Sequence, residues 1–325
     1  MVRNLAPQAI RSISRHGVLL ALAALILFGW LRYENFLGAF NVLSVLRYNA
    51  MFALVSLGMA YVIMTGGIDL SVGSVAALGS VVSALLSPYG LVPGLVGGVA
   101  AGLLVGAVNA LVITRLQILP FIATLATMLA ASGCALLLAG NQSVSVSYEG
   151  AFIELGQGDF LGFPIPAWIA GIAFVIGSVA LNLTAWGRTV LALGGNEDAT
   201  RMMGLPADRV KASVYVLSGG LAGLAGVILA AQFGAGQPIE GVGWELFAIA
   251  SVVVGGTLLT GGVGSVGATL AGVLLLGLIF NILNFENGLG WISLSAYWQS
   301  VIRGAFLLLV VVIQARLVAR SEEPA

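Results

Sequence analysis

VLSVLRYNAMFALVSLGMAYVIMTGGIDLSVGS, Val42 to Ser74, is apolar from Val42 to Met64 apart from Arg47 and a few uncharged polar residues. It then breaks at Thr65-Gly66-Gly67 and resumes after a lone carboxylate, Asp69. About 20 residues of helix cross the roughly 30 Å hydrocarbon core of a bilayer. A Thr-Gly-Gly turn is a helix-ending signal. This stretch therefore reads as one membrane crossing, a turn and the start of the next.

The rest of the chain repeats the pattern. Hydrophobic residues make up 59% of the 325 and charged residues 8%, and the mean hydropathy is +1.07. Such a composition does not fold as one soluble globule with a polar surface. Ten spans are expected, at Gly17–Leu31, Val42–Met64, Leu70–Ser87, Leu91–Thr114, Phe121–Ala139, Ala167–Leu183, Val210–Ala231, Leu246–Leu259, Ser265–Leu283 and Tyr297–Val312. The first and eighth are short. Many of the 45 glycines fall within spans, where small residues let helix backbones touch. Strands of a barrel would instead alternate polar and apolar residues. The expected fold is an all-α polytopic membrane protein.

Orientation follows from the basic residues, which collect on cytoplasmic loops. With the N-terminus inside, Arg3, Arg11, Arg15, Arg115, Arg188, Arg201, Arg209, Lys211, Arg316 and Arg320 are cytoplasmic, ten of the 13 Lys and Arg. Arg32 and Arg47 lie near the outer end and Arg303 sits inside the last span. The loop 140–166 carries Glu149, Glu154 and Asp159 and no basic residue, as an outer loop would. Trp30, Trp168, Trp186, Trp244, Trp291 and Trp298 lie near span ends, where an aromatic belt would place them. The resulting plan is one transmembrane domain: a cytoplasmic N-terminus (1–16), spans one to six (17–183), a cytoplasmic loop (184–209), spans seven to ten (210–315) and a cytoplasmic tail (316–325). The charged start followed by Val18–Trp30 has the shape of a secretory leader, but no small-x-small cleavage site follows it, so it reads as the first span.

Missing residues exclude whole chemistries. One histidine and one cysteine leave no His/Cys metal site and no histidine-based triad. Cys134 reads as packing filler and His16 as an interfacial residue. The only lysine, Lys211, stands between Val210 and Ala212, so there is no G-x-x-x-x-G-K-[ST] phosphate loop. If the chain's work needs ATP, another polypeptide must bind it. Nucleic acid is not an expected partner; membrane lipid is.

A faint repeat bears on mechanism. Asp69-Leu70 opens the third span with Gly79 ten residues on, and Glu245-Leu246 opens the eighth with Gly255 ten residues on. Ala101-Gly102, Gly106, Asn109 and Leu111 are echoed by Ala271-Gly272, Gly277, Asn281 and Leu283. An offset of five spans makes the copies antiparallel, an inverted repeat of the kind that places a pathway between two halves. Asp69 and Glu245 then begin equivalent helices, where a carboxylate accepts from first-turn amides. The competing reading of an acid in a membrane protein is an ion or proton path; on the expected topology Asp69 lies toward the cytoplasmic edge, where water lowers its cost.

RTVLALGGNEDATRMMGLPADRVK, Arg188–Lys211, is the longest polar interruption on the inner side. Asn196 is a cap, Glu197 and Asp198 fill the first turn with Arg201 following, and Gly204 with Pro206 stops the helix. The seven or eight residues between are too few to be stable alone and present Met202 and Met203. Adaptable apolar side chains on a short helix suit a partner's groove; the alternative is a helix lying in lipid headgroups.

Three stretches together resemble one family. GGIDLSVGS (Gly66–Ser74, with Gly66, Gly67, Asp69, Ser71 and Gly73), ALGGNEDATRMMGL (Ala192–Leu205) and IASVVVGGTLLTGGVGSV (Ile249–Val266) look like the signatures of ribose-type permeases of bacterial ABC sugar importers. The last of these and NFENG (Asn284–Gly288) look most like a galactofuranose permease subunit. The resemblance implies a pair of permeases, identical or different, in the bacterial inner membrane, and a cytoplasmic ATP-binding subunit that holds the ATP and Mg. It also implies a periplasmic sugar-binding protein. This chain would bind no cofactor and would not be an enzyme. The family's coupling helix falls on Asn196–Gly204, and Asp69 keeps its cap reading. Polar or aromatic residues that could face the pathway are Asn49, Asn109, Gln232, Asn281 and Phe285, each of which serves equally as a helix–helix contact. The rival class is an ion-coupled secondary transporter or channel.

Overall fold

The computed structural model describes residues 5–288 together with 298, 301, 302, 304 and 305. Arg3, Trp291, Arg303, Arg316, Arg320, most of the expected tenth span and the side chain of His16 lie outside the described residues. In chain order the helices are α1 (Leu5–Arg32), α2 (Ala39–Met64), α3 (Val72–Leu86), α4 (Leu91–Thr114), α5 (Pro120–Leu138), α6 (Glu154–Gln157), α7 (Ile165–Leu183), α8 (Ala185–Gly195), α9 (Glu197–Met202), α10 (Ala207–Phe233), α11 (Trp244–Val254) and α12 (Val266–Gly288). Among the described residues, α2, α4, α5, α7, α10, α12 and α3 with its following turn are long and apolar enough to cross a membrane. The apolar part of α1 and all of α11 are shorter.

The bundle is built around α10, which packs on α4, α3 and α2. Its small residues explain the closeness. On α4, Gly94, Gly98, Gly102 and Gly106 recur every four residues and all are buried. A Cβ on Gly102 would overlap the Gly219 carbonyl oxygen, and one on Gly219 would overlap that of Gly102. At this crossing the two helices therefore meet backbone to backbone.

Two expected spans are shorter than the sequence suggests, for one physical reason. α2 ends in a Schellman-type turn, with Gly66 left-handed (φ 80°) and Gly67 N–H bonded to the Val62 carbonyl at 3.0 Å. The chain then runs without helix to Ser71, and α3 starts only at Val72. α11 ends at Val254 rather than Leu259, because Gly256, Gly261 and Gly262 all have positive φ. α3 and α11 begin beside one another: a Cβ on Gly73 would overlap the Gly241 carbonyl oxygen, and the converse also holds.

Two small sheets sit on the connections, the first against α3 and the second against α2 and α7. β1 (Val144–Ser145) pairs with β4 (Ala235–Gly236), and β2 (Asp159–Phe160) with β3 (Phe163–Pro164), both antiparallel. The β2–β3 turn places Leu161 and Gly162 at positive φ (52° and 78°), as a two-residue hairpin requires.

Two local expectations need correction. Trp244 is not in an interfacial belt: it is 6% exposed and packs on Phe52, because α11 starts inside the bundle. Cys134 is exposed rather than packing filler, since α5 buries only Ala123, Thr124, Ala131 and Ala135.

Candidate transport site

Three glycine pairs from distant parts of the chain meet at the end of α2. The Gly262 N–H donates to the Met64 carbonyl at 3.0 Å. A Cβ on Gly194 would overlap that same carbonyl and the Gly262 nitrogen, and a Cβ on Gly261 would stand 2.7 Å from the Gly66 nitrogen. The three stretches GGIDLSVGS, ALGGNEDATRMMGL and IASVVVGGTLLTGGVGSV thus converge on one junction. Only glycine allows this approach.

The junction carries α9. The Asn196 side-chain oxygen accepts from Ala199 N–H at 2.8 Å and Glu197 and Asp198 occupy the first turn. Gly204, left-handed at φ 75°, follows the last turn. The helix is six residues long. It is braced to α10: Glu197 bonds Arg201 at 2.8 Å and Lys211 at 2.6 Å, and Arg201 also bonds Asp208. Burial raises the Glu197 carboxyl, but the Lys211 ammonium and the Arg201 guanidinium outweigh it and hold the group below its ordinary value. The brace is then fully present above the usual carboxylate range and is lost only as pH falls through that lowered value. Met202 and Met203 are 82% and 67% exposed. Replacing Asn196 by alanine removes the cap, worth about 1 kcal/mol. Amide exchange at Ala199 should rise by roughly fivefold, read by hydrogen-exchange mass spectrometry.

Asp69 is fully buried inside the bundle, so the water expected to lower its cost does not reach it. Its Oδ1 accepts from the Ser71 N–H (3.0 Å) and the Ser71 hydroxyl (2.6 Å), and its Oδ2 from the Ser218 hydroxyl (2.9 Å). Ser218 lies about 16 Å along α10 from Ala207 at 1.5 Å per residue, so the Asp69 contact falls well inside that helix. Asn109 donates to Ser71 Oγ (3.0 Å) and accepts from Thr127 (2.7 Å). One carboxylate therefore ties the approach to α3, α4, α5 and α10. Glu245, in the first turn of α11, takes its bonds from the backbone of its own residue and of Gly243. Asp69→Ala would strand two buried hydroxyls at roughly 1–3 kcal/mol each, seen as a lower melting temperature in detergent.

Along the N-terminal half of α2 the structure opens. A cavity of about 390 Å³ is lined by Arg47, Asn49, Phe52, Gln232, Phe247 and Phe280, together with Gly277, Asn281 and others. A second, of about 420 Å³, shares Tyr48, Phe52, Phe247 and Phe280 with it. Asn49 lies about 22 Å along α2 from Met64, so the cavity sits against the N-terminal half of that helix, away from the junction. Of the five expected pathway residues, Asn49, Gln232 and Asn281 are brought together here. Asn109 belongs to the Asp69 network. Phe285 stacks on Tyr33, with ring centres 5.0 Å apart, and holds α12 to α1. The sequence reading missed the aromatic wall and the ion pair of Arg47 with Asp159 at 2.6 Å; a basic residue inside a span facing an acid-only loop was the available signal.

Residues 41–311 match the family model described as "Branched-chain amino acid transport system / permease component". The "Ribose import permease protein RbsC" of Bacillus subtilis (strain 168) is 40% identical over 92% of both chains. Its Escherichia coli (strain K12) counterpart is 38% identical over 91% of this chain and 92% of its own. The "L-arabinose transport system permease protein AraH" of Escherichia coli (strain K12) is 36% identical over 92% of this chain and 89% of its own. No solved structure matches. The chain is a multi-pass inner-membrane transport component, not an enzyme, and it belongs to the ribose-type permease family of ABC sugar importers.

Proposed function

We propose that this chain forms the membrane pathway for one monosaccharide and is driven by ATP hydrolysis on a separate cytoplasmic subunit that holds the ATP and Mg. The observation that carries the reading is the exposed Met202-Met203 helix, fixed by glycine contacts to the end of α2 and set opposite a polar and aromatic cavity. Arg188, Arg201, Arg209 and Lys211 lie on the segments at the α9 end and Arg115 is near Asp208, so this end is cytoplasmic by the positive-inside rule. Both termini are then cytoplasmic, and residues 184–209 form the coupling loop.

Closure of the ATP-binding partner displaces α9. The displacement passes through Gly194 and Gly195 to Met64 and to the segment around Gly261. From there α2, α11 and α12 carry it to Phe52, Phe247 and Phe280 in the cavity wall, changing which side has access. α3 and α11, each beginning after a glycine-containing turn with an acid beside it, are read as the matching broken helices of two inverted halves. A second permease, a copy or a relative, completes the membrane unit, and a periplasmic binding protein delivers sugar to the cavity end. Galactofuranose is the substrate read from IASVVVGGTLLTGGVGSV and NFENG; ribose and L-arabinose appear in the names of the relatives.

Purification of the tagged chain in mild detergent, with mass spectrometry of its companions, tests the assembly. An ATP-binding subunit is expected at stoichiometric yield. Repeated recovery without one, under conditions that preserve a known complex of this kind, overturns the proposal.

A further inference from the structure

The polar groups lining the cavity differ in how far their bonding capacity is already used. Asn281 and Asn41 bond each other reciprocally, at 2.8 and 3.2 Å. Asn49 donates to the Val45 carbonyl at 2.8 Å, and its side chain fills the space left by Gly277. Two atoms are different. The Gln232 side-chain oxygen Oε1 and the Arg47 Nε are buried without a hydrogen-bond partner. Both residues line the same cavity. A buried polar atom left unpaired costs about 1–3 kcal/mol, and most such atoms in folded proteins have partners. Two in one cavity, one an acceptor and one a donor, point to a ligand.

The chemistry of that ligand is restricted. Gln232 Oε1 needs a donor and Arg47 Nε an acceptor, and a hydroxyl is both. The Arg47 charge is already met by Asp159 at 2.6 Å, so no uncompensated cation awaits a carboxylate. Among the residues lining the cavity, Arg47 is the only charged side chain, so none there awaits an ammonium group either. The aromatic wall suits the apolar face of a sugar ring. A volume of about 390 Å³ falls in the range of small-molecule sites, roughly 300–1,000 Å³. These features favour a neutral polyhydroxyl ring over a zwitterionic amino acid.

We infer that Gln232 and Arg47 are the specificity-determining residues of the cavity: Gln232 Oε1 accepts from one sugar hydroxyl and Arg47 Nε donates to another, while Asp159 holds the guanidinium in place. Asp159 sits on the β2–β3 hairpin, so the outer loop fixes the geometry of the binding group. This rests on the monosaccharide reading above and adds the residues that select the sugar.

The test uses cells carrying the complete importer and radiolabelled ribose, arabinose, galactose and leucine, followed by the single-deoxy analogues of whichever sugar is carried. Gln232→Met removes the acceptor at similar volume; Arg47→Lys keeps a cation for Asp159 and removes Nε. Each variant should lower maximal uptake of the parent sugar at least tenfold, with unchanged yield of the assembled complex. The loss should be smaller for one deoxy analogue, because a site built to bond a hydroxyl discriminates strongly against its absence and the variant no longer does. The binding protein is the same throughout, so a change in that ratio belongs to this chain. Uptake of the parent sugar by both variants within twofold of the wild type, or an equal loss for parent and every analogue, overturns the inference. Wild-type uptake of leucine and of none of the sugars would instead sink the monosaccharide reading itself.

Discussion

Gly194→Ala is expected to disable the protein, whereas Gly195→Ala, one residue later, is expected to leave it nearly unchanged. A Cβ at 194 would overlap the Met64 carbonyl oxygen and the Gly262 nitrogen, both backbone atoms with no rotamer to yield; at 195 it meets nothing within 4 Å. Overpacking costs typically 1–3 kcal/mol even where side chains can shift. With backbone on both sides, about 3 kcal/mol or more is expected for Gly194→Ala, with loss of uptake and a clear fall in melting temperature. Equal melting temperatures for the two variants would show that the junction is loose and transmits nothing.

The second large effect lies a few residues further on. Met202→Asp combined with Met203→Asp should leave folding intact, since both side chains are mostly exposed and α9 is held through Asn196 and Arg201 instead. Sugar uptake should nevertheless fall by more than tenfold, and the ATP-binding subunit should no longer co-purify. Each substitution puts a carboxylate where an apolar surface must be desolvated, which is costly without a partner. Normal uptake by the double variant would mean that these methionines do not dock, and the headgroup-lying alternative would take their place.

The elements most legible in the sequence were those set by local rules. The limits of α4 (Leu91–Thr114) and the Asn196 cap follow from hydropathy and turn chemistry, which depend on neighbours a few residues away. What escaped was set by contacts across hundreds of positions. The full burial of Asp69 was not readable because its polar partner Ser218 lies 149 residues later. The eighth span looked continuous because GGTLLTGG is apolar enough to pass as helix, although its glycines adopt positive φ to reach Met64. Asn49, Gln232 and Asn281 were readable as polar residues near span ends, but their meeting around one cavity was not, since it depends on how α2, α10 and α12 lean together.

The glycine faces of α4 and α10 have a consequence for how such a protein moves. Where backbones touch, no side chain can change rotamer to accommodate a shift, so α3, α4 and α10 act as a fixed frame. The walls formed by α2, α11 and α12 carry aromatic rings, which can swing. The contact of Gly73 with Gly241 also blocks the direct line between the two half-helices. On the transport reading proposed above, solute would pass beside that contact along the aromatic side, with the backbone-packed frame as one wall and the rings as the other.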